Sequence, residues 1–62
     1  MLNQYKVTEE HIIRSIVSGR YVVGKDRIIE GVEQGNGYIR FKELGMDMYI
    51  PISKVNKYKN NA

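Results

Sequence analysis

The sequence predicts an α+β fold, in which an N-terminal helix is followed by a four-stranded antiparallel meander that curls into a small β-barrel. Three observations predict it. Thr8-Glu9-Glu10 precedes an aliphatic stripe at helical spacing; from Arg20 onward apolar and polar residues alternate with a period of two; and glycine-marked breaks recur at Gly24-Lys25-Asp26, Gly35-Asn36-Gly37 and Gly45-Met46-Asp47.

The helix is expected over about residues 8–18. The Thr8 hydroxyl can accept from first-turn amides, and Glu9 and Glu10 face the positive end of the helix dipole. Val7 and Ile12 stand where a hydrophobic staple would place them. Ile12, Ile13, Ile16 and Val17 form one apolar stripe, Gly19 supplies a left-handed stop, and Arg14 and Arg20 lie toward the negative end. Residues 1–6 are too few to assign, with Leu2 and Tyr5 available as a short extended lead.

Strands are expected over about residues 20–23, 27–34, 38–44 and 47–52. Gly45-Met46, read as a two-residue type II′ loop, pairs Leu44 with Asp47, Lys42 with Tyr49, Phe41 with Ile50, Arg40 with Pro51 and Ile39 with Ile52. Phe41, Ile50, Ile39 and Ile52 then share one face, while Lys42, Tyr49, Arg40 and Pro51 share the other. Asn36-Gly37, read as a type I′ loop, puts Val32 opposite Phe41 and Glu33 opposite Arg40. Gly31 inside that strand marks a bulge or bend. The first turn admits two or three residues, which leaves the register of Tyr21, Val22 and Val23 against Ile28 and Ile29 open. Pro51 belongs at an edge or a strand end. Beyond it, residues 53–62 read as a short turn around Ser53-Lys54-Val55-Asn56 and a basic tail, with Val55 and Tyr58 closing the core.

All 62 residues make one small domain. A chain of this length buries only roughly 60% of the surface its unfolded form exposes, and apolar burial less chain entropy comes out near zero. Added burial through a homodimer or larger homo-oligomer is therefore expected, and Val22, Ile29, Met46 and Met48 are the apolar residues a thin core leaves over. The order of helix, bent meander and terminal turn is loosely similar to Sm-like and SH3-like barrels. The Asp and Asn of the Sm central-loop signature are absent around Gly35-Asn36-Gly37, so the resemblance implies a fold and no site residues.

With no cysteine, the chain has neither a thiolate nucleophile nor a cysteine-ligated metal, and oxidising secretion is not implied. No aliphatic run exceeds two residues, so neither a membrane span nor a signal-peptide core is expected, and the expected location is cytoplasmic. Catalysis is not expected either. The lone His11 sits beside Glu10 on the expected first helical turn, without the convergent titratable groups that acid-base or metal chemistry needs. Glu9 and Glu10, adjacent on a helix, point about 100° apart and make no carboxylate pair. Ser15, Ser18 and Ser53 have no neighbouring base. Gly31, Gly35 and Gly37 lead into a strand rather than the helix N-terminus a phosphate loop requires. No cofactor is implied.

The formal charge of +3 is unevenly placed. Through residue 37, Lys6, Arg14, Arg20, Lys25 and Arg27 cancel Glu9, Glu10, Asp26, Glu30 and Glu33; the whole excess lies after it, where Arg40, Lys42, Lys54, Lys57 and Lys59 meet only Glu43 and Asp47. A basic half attracts polyanions, nucleic acid first and anionic membrane second; the plainer alternative is a solvated lysine tail. Tyr38, Arg40 and Lys42 alternate on one expected strand with Tyr49 across from them. Rings flanked by cations on an exposed sheet can stack bases and neutralise phosphates, and Lys54, Lys57 and Lys59 would extend that side. The reading is a non-enzymatic nucleic-acid-binding protein, for DNA or RNA, using these seven residues. The alternative is a protein-binding regulator or inhibitor of phage or mobile-element type, acting by stoichiometric association, in keeping with exposed Met and aromatic positions. The abundance of Ile, Lys and Asn hints at a bacterial or phage genome rich in A and T.

Overall fold

The computed structural model describes residues 2–15 and 19–58. It is a β structure. Strands β1 (Asn3–Val7), β2 (His11–Ser15), β3 (Gly19–Val23), β4 (Ile28–Glu33), β5 (Tyr38–Glu43), β6 (Met46–Pro51) and β7 (Val55–Lys57) are joined by one 3-10 turn, Ile52–Lys54. Among the described residues no helix is long and apolar enough to cross a membrane.

The N-terminal helix expected over 8–18 is absent. Val7 ends β1, Thr8–Glu10 link it to β2, and His11–Ser15 pair antiparallel with Gly19–Val23; Ile16, Val17 and Ser18 lie outside the described residues. The physical reason is the β-branched content of Ile12 and Ile13, which is stiff in a helix and well placed on a pleated surface. An isolated helix of that length is marginal in any case. In the hairpin Ile12 faces Val22 and Ile13 faces Tyr21, so the apolar positions gain cross-strand partners on both faces. The left-handed residue expected to stop the helix, Gly19 at φ 80°, instead opens β3. The Thr8 amide donates to the Lys54 carbonyl at 2.8 Å, leaving no capping arrangement there.

The unassigned lead is structural. β1 lies inside a five-stranded sheet of order β6-β5-β4-β1-β7, with Tyr5 paired to Ile29 on one side and Lys57 on the other. The expected barrel does not close: β6 and β7 remain edges of this sheet, and β2 and β3 form a separate two-stranded one. Between the layers lies the core of Tyr5, Val7, Val23, Ile29, Ile39, Phe41, Met48, Ile50 and Val55, with Ile13, Tyr21 and Ile52 packed at its margin. Ile29 and Met48, counted as surplus in the sequence, are absorbed into it, whereas Val22 and Met46 stay exposed.

Two registers differ from expectation. The β5–β6 loop is Leu44-Gly45, with φ values of 54° and 75°, rather than Gly45-Met46. Phe41 therefore opposes Met48, Ile39 opposes Ile50 and Arg40 opposes Tyr49. Shifting the loop by one residue moves each partner by two, so inward and outward faces are kept. The β4–β5 connection is the wider loop Gln34–Gly37, closed by the Gln34 amide on the Tyr38 carbonyl at 3.0 Å. Here the offset is odd and the faces exchange: Gly31 takes the inward place opposite Phe41, and Val32 stands outward beside Arg40. Gly31 is there because nothing larger fits, since a Cβ would lie 2.5 Å from the Arg40 carbonyl oxygen and 2.8 Å from Ile39 Cγ2.

Candidate nucleic-acid interface

Alternation along β5 turns Ile39 and Phe41 into the core and leaves Tyr38, Arg40 and Lys42 outward. The loop before β5 positions the first of them, because the Asn36 Oδ1 accepts from the Tyr38 amide at 3.2 Å. The Ile52 amide, donating to the Gly37 carbonyl at 2.9 Å, ties the end of β6 to the same loop. On β6, Tyr49 stands directly across from Arg40, and Tyr38 stands across from Pro51. The two rings are thus diagonal neighbours, with the Arg40 guanidinium opposite one of them; both tyrosines are nearly half exposed, at 43% and 45%. Diagonal positions on one face lie about 7–8 Å apart, roughly twice the 3.4 Å rise of a stacked strand.

Lys42 is outward but not free. Its Nζ lies 3.9 Å from Asp47 Oδ1, and both share a cleft with Glu30, Arg40, Val32 and Gln4. This exposed ion pair contributes little stability, yet it cancels the local charge. Arg40 has no acidic partner among the described residues. The electrostatic focus of this face is accordingly the Tyr38, Arg40 and Tyr49 cluster rather than Lys42.

The later lysines do not join it. Lys57 pairs with the inward-facing Tyr5 in β1 and so projects from the opposite side of the sheet. Lys54 lies in the 3-10 turn with its Nζ 3.3 Å from His11 Nδ1. Lys59 lies outside the described residues. Partial burial, and then the Lys54 charge, hold the His11 imidazole below its ordinary value of 6.5. A neutral His11 can accept the lysine's proton in a hydrogen bond, while a protonated one would oppose it.

A second surface lies across the β6 edge. The free edges of β6 and β2 flank a groove of about 440 Å³ lined by His11, Ile12, Ile13, Arg14, Tyr21, Met46, Asp47, Met48 and Tyr49. Tyr49 therefore belongs both to the outer sheet face and to this groove. The sequence reading placed Arg14 and Arg20 at the end of a helix; they are direct cross-strand partners on the exposed face of the hairpin, next to Ile12 and Val22. The signal that could have found them is their symmetric placement about the segment Ser15–Gly19 within a run rich in β-branched residues.

The groove and the sheet are held together at the other rim. Arg27 donates to the Tyr21 hydroxyl and to Glu43 Oε1, the latter at 2.5 Å, which links β3 to β5. Hydrogen bonding to Tyr21, reinforced by Glu43 and outweighing partial burial, raises the Arg27 pKa above its ordinary value. The guanidinium also sits 5.8 Å from the Tyr21 ring centroid. Among the described residues, no group of three or more His, Asp or Glu side chains is placed to hold a metal ion. No protein-family model, curated protein or solved structure matches the chain.

Proposed function

We propose that the chain is a non-enzymatic module that binds single-stranded nucleic acid through the outer face of β5 and β6. The observation that carries this reading is the cluster of Tyr38, Arg40 and Tyr49, two half-exposed rings on one face with an arginine opposite one of them that has no acidic partner among the described residues. Each ring can take one base, and their spacing favours two bases unstacked from each other, a geometry a duplex does not offer. Arg40 supplies the phosphate contact. Lys42 contributes less than its position in the sequence suggests, because Asp47 neutralises it. Fluorescence anisotropy against single-stranded DNA, RNA and duplex DNA at two salt concentrations tests the reading: single strands should bind more tightly than duplex, with affinity falling steeply as salt rises. Equal weak binding to all three, or none at low salt, would refute it.

The groove between β2 and β6 supports a second reading, a protein partner docked by strand addition. Two strand edges border it, and Ile12 and Met46 are partly exposed within it, at 40% and 37%. An extended peptide laid there would pair its backbone with an edge and place alternate side chains among Ile12, Ile13, Met46 and Met48. Binding that survives nuclease treatment and high salt distinguishes this partner from a nucleic acid.

A further inference from the structure

We infer that Arg14 and Arg20 form a phosphate clamp on the β2–β3 hairpin, carrying a single nucleic-acid strand across the β6 edge from the tyrosine face. The inference deepens the nucleic-acid reading and rests on it.

In the antiparallel register Arg14 stands directly opposite Arg20. Directly opposed residues have Cβ atoms about 4.5–5.5 Å apart, and like charges so placed destabilise a strand pair. Both side chains are exposed, and neither has an acidic partner among the described residues. Two guanidinium groups carried on directly opposed positions can reach one phosphodiester, whose oxygens accept from both and turn the repulsion into a shared contact.

Position supplies the second argument. Arg14 lines the same groove as Tyr49, with Ile12 beside it on the hairpin face. A strand whose base stacks on Tyr49 and whose phosphate meets Arg40 leaves the sheet over β6 and reaches the Arg14–Arg20 pair next. The exposed Ile12 and Val22 pair, 40% and 44% accessible, lies beside the arginine pair on the same face and offers an apolar surface to the adjoining sugar or base. Asp47 on the facing wall lies 3.9 Å from Lys42 and is partly neutralised by it. The hairpin thereby adds cations that Lys57, on the opposite side of the sheet, and Lys54, engaged with His11, do not supply.

The test is an anisotropy titration of an oligothymidylate probe against the wild type, the double variant Arg14→Gln/Arg20→Gln, its charge-keeping counterpart Arg14→Lys/Arg20→Lys, and Arg40→Gln. Losing the one phosphate contact that the two arginines share should weaken binding about 5-fold near 0.1 M salt and reduce the slope of log affinity against log salt by about 0.7. The lysine pair should keep most of the slope. Circular dichroism melting should give the glutamine variant a midpoint no lower than the wild type, since a repulsive pair has been removed. If Arg40→Gln weakens binding while the glutamine pair matches the wild type in affinity and slope, the clamp is refuted and the tyrosine face stands. If the wild type itself fails to bind the probe at low salt, the clamp and the reading beneath it both fall.

Discussion

Replacing Gly31 with alanine probes the packing that sets the binding face. The added Cβ would lie 2.5 Å from the Arg40 carbonyl oxygen and 2.8 Å from Ile39 Cγ2, both on β5. Neither neighbour is the free end of a flexible chain: one is backbone and the other belongs to a fully buried isoleucine. Relief requires β4 and β5 to part by roughly 0.5–1 Å in a close-packed interior. Overpacking of this kind costs about 1–3 kcal/mol, and the reduced freedom of alanine in the unfolded chain offsets about 0.4–1 kcal/mol. The net loss is about 1–2 kcal/mol, or a fall in Tm of roughly 5–15 °C for a domain this small. Gly24→Ala is the internal control, because nothing lies within 4 Å of its Cβ and its φ is not in the left-handed region. It should stabilise by about 0.4–1 kcal/mol. Urea denaturation followed by circular dichroism measures both, with unchanged m values for each. Equal effects of the two substitutions would refute the close approach of β4 to β5, and with it the register that places Gly31 opposite Phe41 and Val32 opposite Arg40.

The other predictions concern single side chains. Leu44 is 73% exposed at φ 54°, so Leu44→Asn should raise stability by about 0.5–1 kcal/mol in the same denaturation assay, as no burial is lost and left-handed strain is relieved. Arg20→Glu should stabilise the hairpin by about 0.2–1 kcal/mol by placing an opposite charge across from Arg14, yet weaken oligonucleotide binding; stability and affinity moving in the same direction would contradict the clamp. For His11 the folded pKa is lowered, so the unfolded chain binds more protons: its contribution to stability is full above 6.5 and is lost as pH falls through the folded value. His11→Gln should flatten that part of the stability profile between pH 7 and acid, measured by thermal melts.

What was legible in the sequence was period and sign, while pairing partners were not. Alternation along Tyr38–Glu43 and Met46–Pro51 reveals strands and their buried faces, because an apolar residue at every second position has one sheet side to occupy. The same logic survives reading the loop at Gly45-Met46 instead of Leu44-Gly45, a shift that preserves parity, and fails on reading Asn36-Gly37 instead of Gln34–Gly37, a shift that does not. Thr8-Glu9-Glu10 and the aliphatic stripe after it satisfy a helix and a hairpin alike; cross-strand pairing of β2 with β3, which suits the β-branched Ile12 and Ile13, is the outcome, and helical spacing alone does not reveal it. The candidate site divides in the same way. Tyr38, Arg40 and Tyr49 are neighbours because two adjacent strands carry them. Lys54 lies in a 3-10 turn against His11 and Lys57 follows that turn on the inward side of the sheet, and Arg14 and Arg20 meet only once residues 11–23 form a hairpin.

The most direct test of the central claim compares wild type with Tyr49→Ala for binding to one single-stranded oligonucleotide over a range of salt. Tyr49 carries no charge and is half exposed, so stacking predicts an affinity loss of about 1–3 kcal/mol, roughly 5- to 150-fold, with an unchanged salt slope. Affinity that is unchanged in Tyr49→Ala, or that falls only together with the salt slope, would mean that the strand is held by charge alone and that the tyrosine face is no binding platform.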